Sequence, residues 1–129
     1  MSRSRVLVVD DDLAIRVLVS ILLEAAGYEP VAVPSVERAL ERLDGEHVDL
    51  VLTDLQMPGA GGLELLDCLR LGGSRVPAIV MTGSDDDELL DAALRRGAAT
   101  VLQKPFSPEA LRAAVDGCLA ATPAVQPAA

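Results

Sequence analysis

A chain of 129 residues is about one domain's worth and buries roughly two-thirds of its unfolded surface around a single core. Half of it is apolar, yet Tyr28 and Phe106 are its only aromatics, so the core is aliphatic and no base-stacking platform can be assembled. Eleven basic against twenty acidic residues leave a formal charge of -9, which opposes binding to phosphate backbones or anionic headgroups and excludes nucleic-acid recognition by this chain alone.

Apolar runs and helical patterns then alternate five times. Val6 to Val9 predicts a first strand. Leu13 to Ala26 predicts a helix with Ile15, Leu18, Leu22 and Ala25 on its apolar face and Gly27 as its stop. Pro30 to Val33 is the second strand, and Val36 to Leu43 a short helix capped by Ser35. Val48 to Thr53 is nearly all apolar, as a central parallel strand must be, and Asp54 ends it. A helix from Gly62 to Leu71, a strand from Ala78 to Met81 and a helix from Asp86 to Arg96, stopped by Gly97, follow. Thr100 to Gln103 is the fifth strand, and Pro108 opens a last helix to Ala121. Residues 1–121 thus read as one domain and residues 122–129, rich in Ala and Pro, as a tail or linker stub.

Asp10 cuts the first apolar run at four residues, and Glu24 cuts the longer run from Val17 well short of the ~20 residues of a membrane span. With no export or spanning segment, the expected location is the cytoplasm. Cys68 and Cys118 show no metal-ligand spacing and read as small buried hydrophobes.

Strands separated by helices require right-handed crossovers, hence an α/β doubly wound parallel sheet with helices on both faces. Function in such sheets sits at the carboxyl ends of the strands. Strand one delivers Asp10 and Asp11 there, strand three Asp54, strand four Thr82 and strand five Lys104. Three carboxylates in one crevice repel one another unless a cation joins them, and an all-oxygen donor set points to Mg2+ or Mn2+. Singly, each residue has a plainer reading: Asp10 to Asp12 as a helix cap, Asp54 as a turn former, Thr82 as an ordinary strand end. Lys104 stands apart, because the ten other basic residues are all arginine and a compact ammonium suits a phosphoryl oxygen.

With these residues in order, the chain resembles a response-regulator receiver domain, the phosphoacceptor module of two-component signalling. The match spans Arg5 to Leu119 and rests on Val8-Val9-Asp10-Asp11, on Leu52-Thr53-Asp54-Leu55 followed by Met57-Pro58-Gly59, on Met81-Thr82-Gly83 and on Lys104-Pro105-Phe106. The resemblance implies five strands in the flavodoxin-like order 2-1-3-4-5. It implies that Asp54 accepts a phosphoryl group from a sensor histidine kinase or phosphotransfer protein in a Mg2+-dependent reaction. Asp10, Asp11, Asp54 and the backbone carbonyl of Gln56 would hold the metal, Asp10 largely through water. Thr82 would hydrogen-bond the phosphoryl group, and Lys104 would pair with it and precede a cis proline. The fourth helix, fifth strand and fifth helix would form the surface that changes for a downstream effector, or for a second copy of the chain.

Two departures stand out. The position of the family's aromatic switch is Val101, and Gly59-Ala60-Gly61-Gly62 lacks the usual Asp-Gly pair, which predicts a looser loop. Two rival readings remain from the residues: a haloacid-dehalogenase-like phosphatase with Asp10 as nucleophile, and an interaction module of the same fold that works without phosphorylation. His47 and Asp85 to Asp87 read as a solvated loop residue and a helix-start cluster.

Overall fold

The computed structural model describes residues 3–121. Five parallel strands alternate with five helices: β1 (Arg5–Val9), α1 (Leu13–Ala25), β2 (Glu29–Val33), α2 (Val36–Gly45), β3 (Leu50–Asp54), α3 (Gly62–Leu71), β4 (Ala78–Thr82), α4 (Asp87–Arg95), β5 (Thr100–Gln103) and α5 (Pro108–Ala121). The sheet order is β2-β1-β3-β4-β5, as expected. The tail assigned to residues 122–129 lies outside the described residues.

Side chains alternate between the two faces of each strand, so the sheet carries two cores. Leu7, Val9, Val51 and Val80 pack with Ala39, Leu65, Leu66 and Ala93 of α2, α3 and α4. Val6, Val8, Leu50, Leu52, Ile79 and Met81 pack with Val19, Leu23, Leu111 and Val115 of α1 and α5. Every residue of β3 and β4 is buried, which is why these strands read as unbroken apolar runs. Each fully buried Leu or Val contributes about 1.5–3 kcal/mol.

Helix ends follow from single residues. The side chains of Asp12, Ser35 and Asp86 accept bonds from Ala14 N, Arg38 N and Glu88 N at the starts of α1, α2 and α4. Gly27 and Gly97, at φ 96° and 103°, follow the ends of α1 and α4 in the left-handed conformation that glycine alone adopts without strain.

Several expectations shift. α2 runs to Gly45, beyond Leu43, and β3 begins at Leu50; Val48 is buried outside the ladder. In α1 the buried residues are Val19 and Leu23, whereas Leu18 is 49 % exposed and Ala25 lies outside. The helix is apolar on more than one face, so periodicity alone misplaced its buried stripe. Cys68 is exposed rather than buried, because its position on α3 faces away from the sheet; Cys118 is half-buried, and that burial pushes its thiol pKa up. His47 is solvated and meets Asp49 at 2.8 Å, as a loop residue should.

Candidate functional site

The register of the sheet builds the crevice. Val9 lies opposite Thr53, so the residues that follow β1 leave the sheet beside Asp54, the last residue of β3. Lys104, one residue past β5, is drawn to the end of β4 by its N–H, which donates to the Thr82 carbonyl at 2.7 Å.

Asp10 is fully buried and engaged at every polar atom. Its N–H donates to Val33 O at 3.2 Å, and its carbonyl accepts from Arg16 Nη1 at 2.7 Å. Its Oδ1 accepts from Asp12 N at 2.9 Å and its Oδ2 from Lys104 Nζ at 3.0 Å. A buried carboxylate so satisfied is tolerable; an unpaired one costs several kcal/mol, so roughly what a marginal domain has to spare. Asp11 is exposed, and Asp12 turns away to cap α1, as the plainer reading of that residue holds.

Asp54 is buried except at the crevice mouth, and its Oδ1 accepts from Lys104 Nζ at 3.3 Å. Burial, and then the charge of Asp10, raise the Asp54 pKa above the usual carboxylate value; Lys104 works in the opposite direction. Burial also disfavours the Lys104 ammonium, but its bond to Asp10 and the charges of Asp54 and Asp10 outweigh that, so its pKa is raised and it stays protonated. One carboxylate oxygen each from Asp10, Asp11 and Asp54 lie within 4.8 Å of one another. Three hard oxygen donors converging beside one ammonium fit a small divalent cation that keeps several waters.

Thr82 is buried at the end of β4. Its Oγ1 accepts from Ser84 N at 3.0 Å, which leaves the hydroxyl proton to donate elsewhere. Gln56 sits on the exposed turn two residues past Asp54, and Lys104-Pro105 is cis. Val101 is half-buried on the edge strand β5.

The loop from Gly59 to Gly62 departs from its expected looseness. A Cβ on Gly61 would stand 2.9 Å from Leu55 O, and one on Gly62 would stand 2.7 Å from Asp54 O. The glycines let this loop press against the end of β3, and Glu64 locks it by accepting from Gly61 N at 2.8 Å. That bond holds the Glu64 carboxyl below its usual pKa.

Two features escaped the sequence reading. Arg16 bonds the carbonyl of Asp10, a contact that no spacing rule announces. Leu13, Val17, Leu18 and Ile21 form an apolar stripe on the outer face of α1, between 49 and 64 % exposed, beginning one residue past Asp12; the excess of apolar residues in that helix was its signal.

Fold and crevice together define a phosphoacceptor-type module of the doubly wound class. The chain matches the response regulator receiver domain over residues 6–116 and belongs to that family. It is 33 % identical over 118 residues to the transcriptional regulatory protein FixJ of Bradyrhizobium diazoefficiens, covering 92 % of this chain and 58 % of that protein. It is 30 % identical to sporulation initiation phosphotransferase F of Bacillus subtilis, covering 89 % and 93 % of the two chains. Its fold matches a CheY-like receiver domain protein of Methanospirillum hungatei with a TM-score of 0.84 and 31 % identity, over 92 % of this chain and 95 % of that one. The chain spans about half the length of the FixJ and PhoB transcriptional regulators it matches.

Proposed function

We propose that Asp54 is the phosphoacceptor of this receiver domain, and that a histidine kinase or phosphotransfer protein is its donor. The observation that carries the reading is the Lys104 ammonium, 3.0 Å from Asp10 and 3.3 Å from Asp54, at the mouth of a three-carboxylate crevice. In the transfer, an Asp54 carboxylate oxygen bonds to phosphorus and the phosphorus–nitrogen bond of the donor's phosphohistidine breaks; the electron pair returns to that ring nitrogen, and the imidazole leaves neutral because its other ring nitrogen already carries a proton. Such a reaction asks the protein for in-line positioning and charge neutralisation. Lys104 offsets charge on the phosphoryl oxygens, and the Thr82 hydroxyl donates to one of them. Asp11, Asp54 and the Gln56 carbonyl would hold Mg2+ directly and Asp10 largely through water, with Mn2+ as a substitute. The bound cation supplies the further positive charge that three acids and an incoming phosphoryl group require.

Asp10 has both carboxylate oxygens committed, one to Asp12 N and one to Lys104, which argues against the phosphatase reading with Asp10 as nucleophile. Nothing favours an interaction module that works without phosphorylation. The exposed apolar stripe of α1 begins two residues past Asp11 in the chain, which supports it as the seat of the phosphodonor. Leu94 is 48 % exposed on α4, and β5 is an edge strand, which supports α4, β5 and α5 as the surface read by an effector or a second copy. Residues 1–121 are the receiver unit on this reading. The crevice mouth is open to water, so the acyl phosphate is lost slowly by the domain's own hydrolysis. Among the described residues no helix is long and apolar enough to cross a membrane, and we place the reaction in the cytoplasm, where nucleotide-fed kinases act.

The test is intact mass after incubation with acetyl phosphate. With Mg2+ the chain gains one phosphoryl group; with a chelator, or as Asp54→Asn, it gains none. Equal gain without divalent cation overturns the metal assignment.

A further inference from the structure

The turn between β1 and α1 is tied at almost every polar group. Asp10 N–H is bonded to Val33 O, Asp12 N–H to Asp10 Oδ1, Ala14 N–H to Asp12 Oδ1, and Arg16 N–H to Asp12 O at 3.0 Å. The one residue of the turn with no hydrogen-bond or ion-pair partner among the described residues is Asp11. Its carboxylate nonetheless lies in the cluster with Asp10 and Asp54. Its direction is therefore set by the peptides on either side of it.

The carbonyl of Asp10 belongs to the peptide that joins Asp10 to Asp11, and that unit is planar and moves as one piece. Its oxygen receives Arg16 Nη1 at 2.7 Å, a charge-assisted bond from the second turn of α1. Rotating this peptide would break that bond and swing the Asp11 side chain away from Asp54. We propose that Arg16 is a positioning residue: it clamps the Asp10–Asp11 peptide and so aims the Asp11 carboxylate at the divalent cation. The inference rests on the reading that Asp10, Asp11 and Asp54 hold that cation.

Charge and positioning make opposite demands, and this decides the test. A cation near the cluster repels Mg2+, so removing Arg16 as a mere charge would tighten metal binding. Removing it as a clamp loosens the site and weakens binding. Calorimetric titration with MgCl2 at fixed ionic strength, without phosphodonor, reads the difference. Arg16→Met is expected to weaken Mg2+ binding about fivefold or more, the loss of most of one charged hydrogen bond. Arg16→Lys is expected to stay within about twofold of the natural chain, because a single nitrogen makes this contact and an ammonium can replace it. Should Arg16→Met fail to fold, Arg16→Gln ends two atoms short of the place of Nη1, cannot reach the carbonyl, and is expected to show the same weakening. Unchanged or tighter binding in a folded Arg16→Met or Arg16→Gln overturns the clamp alone. A natural chain that binds no Mg2+ overturns the metal reading and the clamp with it.

Discussion

Gly62 lies against the backbone that carries Asp54 with no room for a side chain, and Gly62→Ala is the perturbation that exposes this. Its added Cβ would meet Asp54 O at 2.7 Å and the Leu55 Cα at 2.9 Å, both backbone atoms, whereas ordinary contact begins at 3.4 Å. The end of β3 or the start of α3 must therefore yield by about 0.7 Å, the difference between 3.4 and 2.7 Å. Neither side yields freely. Asp54 O accepts from the Thr53 hydroxyl at 3.0 Å, Leu55 N donates to Met81 O at 2.8 Å, and Gly62 N donates to Leu55 O at 3.0 Å. Overpacking of this kind costs about 1–3 kcal/mol, from which alanine's better helix propensity recovers about 1 kcal/mol at most. Misplacing a reacting group by a full ångström costs about a hundredfold in rate, so a shift of this size is expected to slow phosphorylation roughly tenfold. Urea denaturation gives the first quantity, and the rate of mass gain with acetyl phosphate the second. Gly117→Ala is the control: a Cβ there meets nothing within 4 Å, and within α5 it is expected to stabilise by about 0.5–1 kcal/mol. If Gly62→Ala proved as stable as the natural chain and reacted as fast, the close approach would have no part in positioning Asp54.

Two further outcomes follow from the geometry. Asp11→Asn is expected to weaken Mg2+ binding more than about tenfold by removing a charged ligand, while Asp12→Asn leaves it nearly unchanged, since asparagine caps α1 as well as aspartate; equal losses in a metal titration would contradict this register. Tyr28 donates to Asp116, and burial, followed by that bond and the Asp116 charge, pushes its phenol up to about 12 from 10.0. A raised folded pKa means that this stabilisation is complete below pH 10 and lost as pH rises toward 12; the raised Lys104 pKa adds a loss of the same sign at high pH, so stability should fall across that window in the natural chain and fall less steeply in Tyr28→Phe. Tyr28 is the only tyrosine, so absorbance follows its ionisation directly, and titration near the ordinary value would refute the assignment.

The strands and the order of the elements were legible because β3 and β4 are buried on both faces and must be apolar throughout, and because glycine ends two of the helices in a conformation other residues avoid. The acids and Lys104 were legible as the residues that strands one, three and five leave at their carboxyl ends. What the sequence hid depends on contacts between distant parts of the chain. The phase of α1 was ambiguous because Leu13, Val17, Leu18 and Ile21 are as apolar as the residues that face the sheet. The tightness of Gly61 and Gly62 depends on how near β3 lies, and a run of glycines in sequence reads equally well as slack. The clamp by Arg16 depends on a side-chain direction, and the exposure of Cys68 on which face of α3 it occupies.

The central claim is that Asp54, and not a neighbouring acid, carries the phosphoryl group. Borohydride reduces an acyl phosphate on aspartate to homoserine, so peptide-resolved mass spectrometry of the chain, phosphorylated in Mg2+ and then reduced, reads the site directly. Homoserine at position 54 alone is the expected result. Homoserine at Asp10, Asp11 or Asp12, or at no position in a chain that had gained the phosphoryl mass, would contradict the account.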